Sequence, residues 1–418
     1  MKRFQNFNYT KTLCTLICVC IPFFAIAQDD DEFEDEERNK AMFSLGNGLD
    51  FSFNDGDYHF NLGGFIQPSY QNIKMSGSDA DNNFNSKRTF LQFSGNAKKE
   101  KVSFLIQLDY SLSDPLMDAW IGYHPTENIT ISFGQKQTFV NNREMTYRED
   151  RLQFNDRSFL SQTFSSTGRE FGVFIESKFG EKFGIVPMLA VTSGDGRNSF
   201  GANSRDTDLG GLKIGGRLDL YPLGYFKDGN DLTSADLGRE EKLKLVVGFA
   251  GSSNKGASNA NGEGHSDFLL YDANGANNLP DYNQLYSDIL LKYQGFSFLA
   301  EYVNTSAGNL DLVYTDANAT QLLAPTQISQ FLVLGDSFNV QTGYVTKSGY
   351  SFDVRYESMS PEFENQTASI LQDANAFTIG LTKYFKGNNL KVQTAYSNLN
   401  PSIGSSISQF EVLFQIAF

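Results

Sequence analysis

The chain has 418 residues, with 34 Lys and Arg against 49 Asp and Glu, a formal net charge of −15, and 38 Phe and 37 Gly beside 3 His and 3 Cys. The acidic balance excludes a nucleic-acid partner, because neutralising phosphates takes clustered Lys and Arg, and the few His and Cys leave little for metal or nucleophile chemistry. Past residue 27 there is no apolar run of about 20 residues, so a polytopic helical membrane protein is excluded as well.

In chain order, residues 1–27 come first. Lys2, Arg3 and Lys11 precede an apolar stretch from Thr12 to Ile26, and Ala25-Ile26-Ala27 offers a small-residue cleavage site. This reads as a secretory signal peptide, with a retained anchor as the alternative. Cys14, Cys18 and Cys20 all lie inside it. The exported chain, 28–418, therefore has no disulfide and needs another source of rigidity. Residues 28–57 begin with QDDDEFEDEERNK. So dense a block of like charge repels itself and reads as a disordered tail, the start of an acidic periplasmic leader. It lacks the ligand spacing and turn glycine of a Ca²⁺ loop.

From Tyr58 onward, segments of about ten residues alternate in polarity, the length of a transmembrane β-strand. At the end of the chain Phe410, Val412, Phe414, Ile416 and Phe418 share one face. Gln409, Glu411, Leu413, Gln415 and Ala417 share the other. The pattern predicts about sixteen strands, a number found among bacterial barrels: 58–72, 86–97, 101–112, 116–124, 128–138, 168–179, 183–193, 209–221, 242–252, 284–294, 295–305, 338–347, 349–359, 375–386, 389–398 and 406–418. Short turns alternate with long Asn/Gly/Ser-rich connections at 73–85, 139–167, 194–208, 253–283, 306–337 and 360–374. That asymmetry marks an outer-membrane barrel, with periplasmic turns and external loops. In lipid every backbone N–H and C=O needs a partner, so a spanning sheet must close and have no edge. Two stretches break the pattern. Residues 222–241 should be a short turn, and are either a miscounted strand or an insertion. Phe331-Leu332-Val333-Leu334 reads as an added strand or helix within a loop.

Between 86 and 179 the sequence resembles the phosphate-selective porin O/P family. The resemblance rests on Lys87-Arg88 opening a strand, Asp118 to Tyr123 (DAWIGY), Gly134 to Phe139 (GQKQTF), Asp156-Arg157-Ser158, and Gly168-Arg169-Glu170-Phe171-Gly172. These motifs cover about a quarter of the exported chain, while the layout covers nearly all of it. The resemblance implies a sixteen-stranded, trimeric barrel in the bacterial outer membrane. It also implies an inward-folded third external loop and a basic constriction that passes phosphate. The closing strand to Phe418 resembles the signal such barrels present to the barrel-assembly machinery. The chain departs from the family pattern in having no proline between Lys136 and Phe139, and in its acidic balance.

The third of the expected external loops, 139–167, is long and carries Arg143, Arg148, Arg151 and Arg157 among Glu144, Glu149, Asp150 and Asp156. A loop this long inside a compact fold is usually functional. In one reading its arginines line a constriction, where a fixed guanidinium fork suits phosphate or carboxylate. In the other they pair with the neighbouring acids and merely fold the loop. Strand parity turns Arg88, Lys136, Lys178, Lys213, Arg217, Lys244, Lys292 and Arg355 into the lumen. It turns Asp109, Asp118, Glu176, Asp219, Asp288, Glu301, Asp353, Glu357 and Glu411 there too. A Lys or Arg facing lipid at midplane would cost roughly 2–4 kcal/mol.

The expected solute-binding set is Lys136, Arg143, Arg148, Arg151, Arg157 and Arg217. No catalytic triad, metal cluster or cofactor motif appears, and no enzyme activity is expected. The expected function is passive diffusion of small polar solutes, anions such as phosphate among them. The alternative is a structural or adhesion barrel with an occluded lumen. The expected partners are outer-membrane lipid, the barrel-assembly machinery through Phe418, and two further copies in a homotrimer. A soluble exported sugar-binding β-protein is the third class, disfavoured by the turn asymmetry.

Overall fold

The computed structural model describes residues 39–198, 211–264, 266–363 and 367–418. The expected signal peptide and the acidic run 28–38 lie outside the described residues, as does His265. Among the described residues, alternation of polarity builds eighteen strands: β1 (Lys40–Ser44), β2 (Gly48–Phe53), β3 (Tyr58–Met75), β4 (Ala80–Ala97), β5 (Val102–Asp109), β6 (Leu116–Thr126), β7 (Ile129–Gln137), β8 (Arg169–Ser177), β9 (Gly184–Thr192), β10 (Lys213–Tyr221), β11 (Lys244–Asn254), β12 (Asp281–Tyr293), β13 (Phe296–Gly308), β14 (Gly335–Val345), β15 (Tyr350–Pro361), β16 (Ala374–Tyr384), β17 (Leu390–Pro401) and β18 (Ile407–Ala417). From β3 to β18 each strand pairs antiparallel with the next, and β18 pairs back with β3, closing a sixteen-stranded barrel. The seam ends where Phe418 and Gly64 exchange two backbone hydrogen bonds, at 2.7 and 2.9 Å.

All sixteen strands expected from Tyr58 onward are present. Parity holds as well. On β18, Phe410, Phe414 and Ile416 are exposed on the outer wall, while Glu411, Leu413, Gln415 and Ala417 are buried within. Outward phenylalanines, isoleucines and leucines recur around the wall, the apolar band that lipid requires. By the same rule the end carrying the short turns is periplasmic.

The boundaries move in one place above all. β3 and β4 run on to Met75 and back from Ala80, so the loop expected at 73–85 shrinks to 76–79. Their ladder shifts register at Gln67/Pro68. A proline cannot donate to a ladder, and a bulge is where a paired strand accommodates one.

Three further stretches are resolved. Within the expected leader 28–57, residues 40–53 form the β1–β2 hairpin. β2 pairs with the first residues of β3, Leu49 against Leu62 through Phe53 against Tyr58, below the point where β18 ends. The barrel wall is thereby continued on the short-turn side. Residues 222–243 are an insertion rather than a strand, with one 3-10 turn at Asn230–Leu232. Phe331–Leu334 is neither a strand nor a helix of its own. It follows the 3-10 helix Pro325–Gln330, and Leu332 and Leu334 bury into an apolar cluster with Leu270, Val313 and Ile328 of the long loops.

Candidate functional site

Residues 138–168, the third connection at the long-loop end, form the site. The loop is pinched at its base, where the Thr138 N–H donates to the Gly168 carbonyl at 2.8 Å. One Glu263 carboxylate oxygen accepts the backbone N–H groups of Ser166, Thr167 and Gly168. Midway lies the short helix α1 (Phe159–Phe164). It is capped by Ser158, whose side chain accepts the Ser161 N–H, and it buries Leu160 and Phe164 against Tyr286, Val303 and Met359.

The remainder of the loop is tied to lumen-facing side chains around the wall. Arg143 donates to Asp288 of β12 at 2.5 Å and to Asp219 of β10 at 2.8 Å; Arg217 donates to the same two carboxylates at 2.6 and 2.8 Å. This two-by-two cluster is electrically neutral and almost fully buried. Glu144 accepts from Arg355 of β15 at 2.5 Å. Gln153 donates to Asp353 at 2.6 Å. The Leu152 carbonyl accepts Lys391 of β17, and the Asp150 carbonyl accepts Gln415 of β18. Asp156 meets Lys87 of β4 at 2.7 Å. The loop therefore crosses the barrel.

The wall leaves room for it. A Cβ at lumen-facing Gly248 would lie 2.2 Å from Arg217 Nη2, and one at Gly343 2.2 Å from Gln153 Nε2. Glu149 is held by three bonds, from Arg169 at 2.7 and 3.3 Å and from Arg157 at 3.0 Å. Burial pushes its carboxyl up, but Arg169 and Arg157 outweigh burial and hold it well below the ordinary range. Burial likewise pushes the Glu144 carboxyl up, and Arg355 and Ser158 outweigh burial and hold it low.

The six residues singled out in the sequence fall in two groups. Five are paired: Lys136 with Glu176, Arg143 and Arg217 in the cluster above, Arg148 with Asp150 through two bonds of 2.5 and 2.6 Å, and Arg157 with Glu149. Arg151 alone of the six has no carboxylate within ion-pair distance among the described residues. Of the four loop arginines, Arg143, Arg148 and Arg157 thus meet carboxylates, while Lys136 pairs from β7 to β8 outside the loop.

Two residues that anchor the loop stand in the motifs of the resemblance but outside the expected solute-binding set. Arg169, fully buried, bridges Glu149 and Asp118. Lys87 parity alone would have turned outward. The register shift turns it inward with Arg88, and it reaches Asp156 and Glu411. The signal was Pro68 across the ladder.

Beside and below the loop lie three adjoining cavities. One of about 530 Å³ is lined by Lys136, Arg143, Arg148, Lys178 and Arg217, with Asp118, Glu176, Asp219 and Asp231. A second of about 510 Å³ adds Arg151, Asp50 and His59 and shares Gln92, Trp120 and Arg148 with the first. A third of about 370 Å³ shares Gly46, Asn47, Arg148 and Arg151 with the second and reaches the turn at Lys386–Asn389 on the periplasmic side. Arg148 borders all three.

A closed, apolar-belted sheet with a polar lumen crossed by a loop defines a bacterial outer-membrane β-barrel of porin architecture. No family model matches the sequence, and no curated protein matches it significantly. Among solved structures the chain is similar to a loop L8 deletion mutant of OmpT, an outer-membrane protein of Vibrio cholerae. That match has 13% identity over 87% of this chain and 100% of that one, with a TM-score of 0.51. It is similar to in-vitro folded OmpT of the same organism in a trimer form, at 10% identity over 86% and 99%, with a TM-score of 0.50. It is also similar to the outer-membrane channel DcaP of Acinetobacter baumannii, at 12% identity over 86% and 97%, with a TM-score of 0.51. At such identities the likeness is one of fold.

Proposed function

We propose that the protein is a porin for passive diffusion of small polar solutes, with loop 138–168 as its constriction. The observation that carries this reading is the run of adjoining cavities from beside the loop to the short-turn end. In a chain of net charge −15, those cavities are bordered, among the described residues, by seven Lys or Arg and seven Asp or Glu. A balanced polar path suits solutes of either sign and small size.

Anions such as phosphate are the favoured class within that reading, as in the O/P porins that residues 86–179 resemble. Arg148 and Arg151 project from the loop onto the path, and narrow low-dielectric walls amplify the charges nearest the solute. A homotrimer is the assembly we infer, the form in which one similar barrel has been solved. The signal peptide, the acidic leader and presentation of Phe418 to the assembly machinery belong to the same proposal.

Planar-bilayer conductance tests it. Replacing Lys136, Arg148 and Arg151 by Ala is expected to shift the reversal potential toward cations and to abolish block of chloride current by phosphate. A wild-type channel that is already cation-selective and unblocked removes the anion preference and leaves a general porin. Absence of conductance in several lipid compositions turns the assignment to a structural or adhesion barrel, a reading favoured by the side-to-side anchoring of the loop.

A further inference from the structure

Nearly all connections at the periplasmic end are short, down to the two-residue turn Gln294–Gly295. Residues 222–243, between β10 and β11, are the exception. We propose that this segment folds into the barrel as a second constriction, and that with loop 138–168 it sets the size limit of the channel. The inference rests on the diffusion reading above and goes beyond it.

Four observations carry it. First, the segment is built into the lumen. Ala235 and Asp236 are fully buried. Lys292 of β12, itself fully buried, donates to the backbone carbonyls of Asn230, Thr233 (2.7 Å) and Ala235 (2.9 Å). An ammonium has three donors and no acceptor, so the backbone curls round it and uses all three. Second, the segment reaches across the wall. The Asp236 carboxylate accepts the Gly295 N–H at 2.6 Å, Arg239 donates to the carbonyls of Gln294 (2.5 Å) and Val345, and Ala235 packs on Val345 of β14 and Tyr384 of β16. A connection that leaves β10 and returns at β11 thus touches strands well around the barrel. Third, it is joined to the other constriction, because Thr233 Oγ1 donates to the Arg151 carbonyl at 2.9 Å. Fourth, it borders the path on two sides. Asp231 and Leu232 line the 530 Å³ cavity, and Asp228 and Thr233 line the 370 Å³ cavity opposite Arg148 and Arg151. A solute leaving beneath the loop passes between the acidic edge of this segment and those two arginines.

Leu232 gives the test, since it borders the path and is 46% exposed, so its side chain is not needed for packing. The natural cysteines all precede residue 28. Leu232→Cys, purified from outer membranes and reconstituted in planar bilayers, is treated with a bulky methanethiosulfonate. Modification is expected to lower single-channel conductance at least twofold and to exclude sugars that pass before treatment in a liposome-swelling assay. Ile403→Cys, on an exposed external loop, is expected to show no change. A Lys292→Met variant, which frees the segment, is expected to raise the conductance and the size limit. If Lys292→Met fails to fold, Leu232→Cys still decides. Complete modification by mass with unchanged conductance overturns the second constriction while leaving the channel. A wild-type barrel that does not conduct overturns both.

Discussion

Replacing Arg143 by Ala is the most direct test of what holds the loop inside the barrel. Arg143, Arg217, Asp219 and Asp288 form a neutral cluster whose side chains are each under 10% exposed. Solvent screening therefore gives little relief. The substitution leaves two carboxylates sharing one guanidinium, a net buried charge of −1. Removing one partner of a buried pair costs about 3–5 kcal/mol. Arg217 keeps bonds of 2.6 and 2.8 Å to both carboxylates, which puts the expected cost near the lower end, about 3 kcal/mol. The sheet itself is untouched, so the cost falls on the loop. At about 1.4 kcal/mol per tenfold, the population with the loop displaced rises on the order of a hundredfold. The assay is chymotrypsin cleavage at Tyr147 and Phe154 in the detergent-folded barrel, under conditions where cleavage tracks the open population. Adding Asp288→Asn restores neutrality and is expected to recover most of the protection. Cleavage of Arg143→Ala at the wild-type rate, or a double variant no better than the single one, would refute the reasoning.

Three further outcomes are expected. Deleting Phe418 removes both backbone bonds to Gly64 at the seam and is expected to give an exported but poorly inserted chain; wild-type levels of heat-modifiable barrel in the outer membrane would count against this. Gly343→Ala places a methyl group on Gln153 and Asp353 and is expected to loosen the loop by about 1–3 kcal/mol, the usual cost of overpacking, again read by chymotrypsin. Because the Glu149 carboxyl is held far below its ordinary value near 4.5, its anchoring contribution is fully present above that value. It is lost only as the pH falls from there toward the depressed one. Loop protection should be flat from pH 8 to 5, read with proteinase K, and decline below about 4.5, read with pepsin; a decline already at pH 6–7 with the first protease would assign the anchor to another group.

The strands were legible because lipid imposes a two-residue period on every one of them, and a wrong parity would put charge in hydrocarbon. Lys213, Arg217, Asp288 and Glu411 could therefore be placed in the lumen from spacing alone. Their partners could not. Arg143 finds Asp288 across 145 positions of sequence, and no local pattern encodes that pairing. The β1–β2 hairpin was hidden by the acidic run before it, although Leu49, Phe51 and Phe53 do alternate. The insertion at 222–243 announced itself only as a violation of turn length. What it does inside the lumen depends on Lys292, which parity located but could not partner.

The seam between β18 and β3 has a consequence for the order of events in folding. Every other pairing in the barrel joins neighbours in the chain, so those hairpins form locally. The seam brings together residues as far apart as Gln67 and Gln415, 348 positions. Until it forms, the sheet has two open edges, each a template for the wrong partner. β3 emerges early in synthesis; β2 covers only its first residues, and the edge from Phe65 to Met75 must wait for nearly all the rest of the chain. Both edges therefore stay open to wrong pairing until the last strand is in place, when the sheet is otherwise complete.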